Sequence, residues 1–437
     1  MGWALVSFRK GIRPVSPAIR ILIGLGIGLA TGVTMASYGV PRESAVVVTA
    51  EVAGGLWLDA LRMTILPLVF SLVITGVAST AGKASAGGVT KLSLSLFLLL
   101  LMGAAAMAAT IVPLLLAIWP IPPDAAVALR HALGATQQIQ AQQGVVAMLR
   151  GIIPTNVVSA AASGAMLPLI VFALVFGFAL TKADGECGQG LTRFFSWIKD
   201  TMLVIVGWVL ELAPLGVFAL ALVLGVTTGF TALGAFAHYI AFVVTMCLLA
   251  TVAAYTLAVL IGRVPLSRFA RAAAPAQAIA VSTQSSLASL PAMIKGSEVQ
   301  LGISPRVTGV TLPLAVSLFR IAGATAPVTI AIYAASVLNI PLSPGQLAAG
   351  AVVAVIMVIA SGVGVPSQVS FFATMTPIFT SMGVPIEILA LLIAVEAIPD
   401  IFRTTANVSM DMAVTTVVAR FSKTGSGGVA APEEATE

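Results

Sequence analysis

Apolar runs long enough to cross a lipid bilayer recur along this chain, near residues 18–39, 55–81, 92–119, 165–182, 201–229, 233–262, 307–338 and 386–420. A helix rises about 1.5 Å per residue, so ~20 apolar residues cover the ~30 Å hydrocarbon layer. Composition agrees, with 59% of the 437 residues hydrophobic and 9% charged, against about 25% charged in a soluble domain. The pattern predicts an all-α integral membrane protein. The formal net charge of +6 comes with no clustered basic face and interleaved aromatics, so nucleic acid is set aside as a partner. Cys187 and Cys247 have no CxxC or Cys/His spacing, which argues against a disulfide framework or a metal site. The basic start, MGWALVSFRKGIRP, leads into the run from Ile19 to Tyr38. A cleaved signal peptide is one reading; the length of the run and the spans after it favour an uncleaved first span. The small, polar, acidic residues 423–437 read as a disordered tail.

Two further apolar regions, near 266–296 and 345–383, are not simple spans. STQSSLASLP interrupts the first and SGVGVPSQ the second. Small polar residues with a proline inside an apolar segment fit a helix that enters, turns and leaves by the same side. Broken backbone at membrane depth is tolerated only inside protein or beside a wet cavity, and two such segments in corresponding positions point to a transporter's binding site. Charge placement tests this topology. With both termini cytoplasmic and two re-entrant hairpins entering from opposite sides, the cytoplasmic connections hold Arg9, Lys10, Arg13, Lys83, Lys91, Lys182, Arg193, Lys199, Arg263, Arg268, Arg271, Lys295, Arg306, Arg420 and Lys423. The outer loops hold Arg42, Arg130 and Arg150. That is a strong positive-inside bias.

The last run, AVEAIPDIFRTTANVSMDMAVTTVVAR, is the costly one. Glu396, Asp400, Arg403 and Asp411 interrupt it, and four charges facing lipid would cost on the order of 10 kcal/mol. Together with Thr404 and Asn407 they recur every three or four residues, which makes one stripe on a helix. The stripe can face the protein interior, opposite the two polar hairpins. Pro399 removes a backbone donor beside Asp400. The plain alternative is an intrahelical Asp400–Arg403 or Asp400–Thr404 pair kept for packing. A proteolytic aspartate dyad fails, because eleven positions put Asp400 and Asp411 about 16 Å apart along the axis, whereas a dyad shares one proton. No Ser/His/Asp set, metal cluster or phosphate loop is evident, and His131 and His238 read as structural. An enzyme is not expected.

These residues resemble the dicarboxylate/amino acid:cation symporters, the glutamate transporter homologues. The likeness covers the chain to about residue 422. It is carried by LPLVF at Leu66–Phe70, IPTN at Ile153–Asn156, APLGVFAL at Ala213–Leu220, SSLASLP at Ser285–Pro291, TLPL at Thr311–Leu314, GVP at Gly364–Pro366 and DIFRTTANVSMD at Asp400–Asp411, in order. The resemblance implies eight transmembrane helices plus two re-entrant hairpins in inverted repeats, assembled as a homotrimer. It implies a cytoplasmic N-terminus (1–16), scaffold helices over about 17–81 and 120–229, and a moving transport part over about 89–119 and 233–422. It places a substrate carboxylate on Arg403, an amino group on Asp400, and the rest of the pocket on Thr404, Asn407, Ser285 and Ser286 of the first hairpin, and Val365, Pro366 and Ser367 of the second. It assigns the coupling ion to Asp411, a possible sodium site; Asn407 and Glu396 are further candidates for the coupling ion.

Two departures stand out. The first hairpin reads Ser-Ser-Leu-Ala-Ser where the family has three serines then Gly-Thr. The Asn-Met-Asp-Gly-Thr motif of helix seven is replaced by FRIAGAT, Phe319–Thr325, and the third span, LFLLLLMGAAAM, lacks the family's aromatic and hydroxyl ligands. Arg320, on the expectation that follows, occupies the region of the missing sodium ion as a cation that offsets Asp411 or Glu396; the plain alternative is a structural residue that snorkels or pairs locally. The coupling ion is then sodium or a proton, with Glu396 or Asp411 as proton carrier. The expected function is uptake of an acidic amino acid or C4-dicarboxylate with a cation across the inner membrane, by an elevator-type mechanism. The alternatives are a neutral or sulfur-containing amino acid carrier or exchanger, and an anion channel.

Overall fold

The computed structural model describes residues 17–84, 87–132, 152–183, 185–229, 231–361 and 367–422. Among them every regular element is helical. The first half comprises α1 (Pro17–Ser37), α2 (Ala45–Ala84), α3 (Gly88–Ile118), α4 (Pro123–Ala132), α5 (Val157–Ala162), α6 (Met166–Leu180), α7 (Gly185–Glu211) and α8 (Ala213–Thr228). The second comprises α9 (Thr231–Thr256), α10 (Leu266–Thr283), α11 (Ser286–Lys295), α12 (Pro305–Leu318), α13 (Ile321–Val337), α14 (Pro344–Ser361), α15 (Ser367–Met382), α16 (Ile388–Val395) and α17 (Ala397–Phe421). Six helical segments are long and apolar enough to cross a membrane, and the bent pair α7–α8 makes a seventh if it is one span. Large apolar side chains such as Ile27, Leu56, Leu99, Leu114 and Val252 face outward, as a lipid solvent permits. The chain is a multi-pass membrane protein. The segments 1–16 and 423–437, given above as cytoplasmic terminus and disordered tail, lie outside the described residues.

Three predicted spans are broken rather than continuous. The chain bends by 53° between α7 and α8, where Pro214 opens the second helix. The last span breaks between Val395 and Ala397. Pro399 explains that position: it has no N–H to give the carbonyl four residues earlier, on Val395, and its ring crowds it. The break between α12 and α13 has no such proline. There Phe319 (φ −124°, ψ 79°) and Arg320 (φ −104°, ψ 92°) are extended, and the lost helical acceptor of the Ala322 N–H is replaced by the Asn407 side chain, at 2.9 Å.

The two interrupted apolar regions form helix pairs, α10 against α11 and α14 against α15. The first turns at Gln284, whose φ of 52° is left-handed, and at Ser285, whose Oγ accepts the Ala288 N–H and caps α11. Gln284 Nε2 then donates to the Ala397 carbonyl at 3.0 Å, seating this turn against the start of α17. In the second pair, residues 362–366 between the arms lie outside the described residues.

Close helix contact holds the N-terminal half. Gly24, Gly28 and Gly32 of α1 lie so near the Pro214, Phe218 and Leu222 carbonyls of α8 that an added Cβ would sit 2.2–2.4 Å away. Small residues at every fourth position let two helices meet backbone to backbone, which replaces the hydrophobic driving force that lipid removes. One apolar core joins α1, α2, α6, α7 and α8 to α9, α13, α14 and α15. A second packs α3, α9, α10, α12 and α17 around Phe97, Phe269 and Phe319. The polar site lies on the helices of this second core.

Candidate functional site

The break before α17 places Glu396 beside the first turns of the helix that follows. Arg403 Nη1 donates to Glu396 Oε1, and Arg403 Nη2 lies 3.2 Å from Asp400 Oδ1. Glu396 and Asp400 are 5% and 7% exposed, and the fork geometry of this one guanidinium serves two carboxylates together. Tyr239 of α9 donates its hydroxyl to Glu396 Oε2 at 3.3 Å. Thr404 Oγ1 donates to the Asp400 carbonyl at 2.8 Å. The expected stripe is thus a paired triad at its N-terminal end.

Farther along α17 the same face does other work. Asn407 Oδ1 accepts the Ala322 N–H, so it is committed to the start of α13. Ser409 receives a 2.8 Å hydrogen bond from Gln277 Nε2 of α10, which also contacts the Tyr255 hydroxyl. Asp411 is fully buried, and neither carboxylate oxygen has a hydrogen-bond partner among the described residues. A bare buried carboxylate is costly unless it takes a proton or a cation.

Arg320 stands across from this helix, at the extended break before α13. Its Nη2 donates to Ser361 Oγ at the end of α14, its Nε has no partner among the described residues, and the side chain is half-buried. No ion pair within 4.0 Å involves Arg320 among the described residues. It lies within electrostatic range of Asp400, Asp411 and Arg403. The two arginines therefore differ in kind, one with two carboxylates and one with none.

Of the other expected site residues, Ser285 and Ser286 are half-buried at the start of α11. Val365 and Pro366 lie outside the described residues, and Ser367 opens α15. His238 is buried in α9, its Nδ1 2.9 Å from the Tyr333 hydroxyl and its ring against Trp119. Sequence reasoning missed Tyr239, Gln277, Gln284 and Ser361. A usable signal existed for the first, since Tyr239 is one of four tyrosines in the chain and lies inside an apolar run.

A model of the sodium:dicarboxylate symporter family matches residues 18–421. The chain belongs to the sodium:dicarboxylate symporter family. It is 27% identical over 417 residues to a proton/glutamate-aspartate symporter of Escherichia coli K12, covering 93% of both chains. It is 28% identical over 412 residues to a proton/sodium-glutamate symport protein of Bacillus caldotenax, covering 91% of this chain and 92% of the other. A C4-dicarboxylate transport protein of Aeromonas salmonicida is 27% identical over 371 residues, covering 84% and 85%.

The family name raises the question whether the residues suit sodium. Among the described residues no group of three His, Cys, Asp or Glu forms a metal site. Sodium is a hard cation that takes oxygen donors. The two unpartnered Asp411 oxygens fit that chemistry, while the Asn407 oxygen is already taken by Ala322.

Proposed function

We propose that this member of the sodium:dicarboxylate symporter family is a secondary active transporter that takes up an acidic amino acid or a C4-dicarboxylate together with a cation. The observation that carries the reading is the buried Glu396–Arg403–Asp400 triad beside the turn of the first hairpin. The glutamate, aspartate and C4-dicarboxylate names of its relatives support it. Arg403 and Asp400 lie against each other in this structure. A substrate with a carboxylate and an ammonium replaces that pair with two new ones, Arg403 to the carboxylate and Asp400 to the ammonium, while Glu396 keeps the guanidinium oriented. Asp411 receives the coupling ion, sodium or a proton. The family's division into a scaffold and a moving transport part, its homotrimer and its elevator motion extend this reading, with both termini in the cytoplasm of a bacterial cell on the positive-inside pattern.

One observation favours the second reading, a carrier or exchanger of neutral amino acids: Arg403 is already matched by two carboxylates. The deciding experiment is uptake into proteoliposomes of labelled aspartate, succinate and serine, with a sodium gradient, a proton gradient or neither. Cation-driven uptake of aspartate or succinate supports the first reading. Uptake of serine alone selects the second, and currents that neither saturate nor follow uptake would make the protein an anion channel.

A further inference from the structure

The pairing around Arg403 leaves the proposed site with an imbalance. Arg403 faces Glu396 and Asp400, so its positive charge is already spent on the protein. A dianionic substrate entering there meets two carboxylates for one guanidinium. When Asp400 turns to a substrate ammonium, one substrate carboxylate can be held by Arg403, and the second falls to other groups of the pocket. A plain dicarboxylate has no ammonium to draw Asp400 away, and its need for such groups is greater.

Arg320 is the unspent cation. Among the described residues it has no carboxylate within ion-pairing distance, its Nε–H has no acceptor, and its one hydrogen bond from Nη2 goes to a neutral hydroxyl, Ser361 Oγ. The hydrogen bond from the Ala322 N–H to Asn407 sets the start of α13 against α17 one turn after Arg403, and Asp400, Asp411 and Arg403 all lie within electrostatic range of the Arg320 guanidinium. It is also held in place. The backbone at Phe319 and Arg320 is extended, and Asn407 on α17 fixes the next turn through Ala322. Asn407 follows Arg403 by one helical turn, so the substrate-facing helix itself sets where Arg320 starts. A half-buried guanidinium, rigidly based and with no carboxylate in direct ion-pair contact among the described residues, is an arrangement for binding an oxyanion in fork geometry.

We infer that Arg320 is a second carboxylate anchor, which makes this site selective for substrates with two carboxylates. The inference rests on the transport reading above and deepens it. It differs from a role as a fixed substitute for a coupling cation. A substitute would compensate Asp411 and alter the ion dependence, whereas an anchor sets which substrates bind.

The test compares each two-carboxylate ligand with its mono-amide, because an amide has nearly the same shape and needs no guanidinium. Full-length protein in lipid nanodiscs is titrated calorimetrically with aspartate and asparagine, and with succinate and succinamate, at saturating sodium and at pH 5.5 and 7.5. The wild type is expected to prefer each dianion. Arg320→Gln should lower the affinity for the dianion by about 30-fold or more, the scale of losing one partner of a buried charge pair, and leave the mono-amide within about threefold, so that the ratio collapses. A structural role for Arg320 would weaken both ligands alike, and that result overturns the inference. So does an unchanged ratio with a shifted sodium or pH dependence, which assigns Arg320 to the ion instead. If the glutamine variant is not monodisperse, Arg320→Lys carries the test. The ratio should then fall severalfold, since an ammonium keeps the charge and loses the fork, and an unchanged ratio counts against the anchor. A wild type that binds neither aspartate nor succinate, while binding serine, overturns the substrate reading and the inference with it.

Discussion

The two broken helices at the centre of the molecule, α12–α13 and α16–α17, solve the same problem in opposite ways. Each interrupts a membrane helix and frees backbone groups that lipid cannot satisfy. At α16–α17 a proline causes the break, the residues stay near helical geometry, and the freed space is filled by Glu396, which Arg403 and Tyr239 hold. At α12–α13 the backbone is extended, and a side chain from the other broken helix, Asn407, supplies the missing acceptor. One break is internally neutralised and depends on its own sequence. The other carries a lone cation and depends on its neighbour. A site that must bind and release charged substrate needs both, a rigid paired side and a side with unused charge.

The largest effect is expected from breaking the neutralised side. Arg403→Ala leaves Glu396 and Asp400 buried without this cation, a loss of about 3–5 kcal/mol, and it removes the proposed carboxylate-binding group. Uptake of aspartate and succinate should vanish and the thermal midpoint in nanodiscs should drop by several degrees. Full retention of the midpoint would mean that the triad is not the neutral unit described here.

Asp411→Asn sharpens the contrast in the other direction. Neither Asp411 oxygen has a hydrogen-bond partner to lose, so stability should change little, by less than about 1 kcal/mol. Transport should lose its activation by the coupling cation, measured as uptake against sodium at fixed pH and against pH at fixed sodium. Activation curves that survive intact place the ion elsewhere.

Asn407→Ala tests whether the second break really leans on the first. The Ala322 N–H is left buried without an acceptor, at a cost of about 1–3 kcal/mol. Hydrogen exchange should speed up at the start of α13 and stay slow in α16 and the first turn of α17. Equal loosening of both breaks would show that they form one unit.

The smallest expected change is a matter of selectivity. Asp400→Asn keeps Arg403 on Glu396 and removes the proposed partner for an ammonium, so aspartate should weaken about tenfold more than succinate, close to 1.4 kcal/mol. Equal losses for both ligands would assign Asp400 to holding Arg403 alone.

What the sequence determined follows from interactions that are local along the chain. Apolar runs near 20 residues long announce membrane helices because lipid forces every backbone group into internal bonds. The polar interruptions STQSSLASLP and SGVGVPSQ marked the two helix pairs, since such residues at membrane depth need protein or water around them. The three- and four-residue spacing from Asp400 to Asp411 announced one face of one helix, and Pro399 announced the loosening beside it. The tertiary structure alone decided how the charges are shared. Arg403 reaches Glu396 across seven positions because the helix breaks between Val395 and Ala397. Asn407, expected from the sequence in the substrate pocket, is engaged by α13, and Tyr239 and Gln284 reach the start of α17 from elements over a hundred residues away. The break at Phe319–Arg320 has no proline to announce it, so no local pattern could place it. Partner choice among buried charges depends on the register and rotation of packed helices, and those are properties of the assembled molecule.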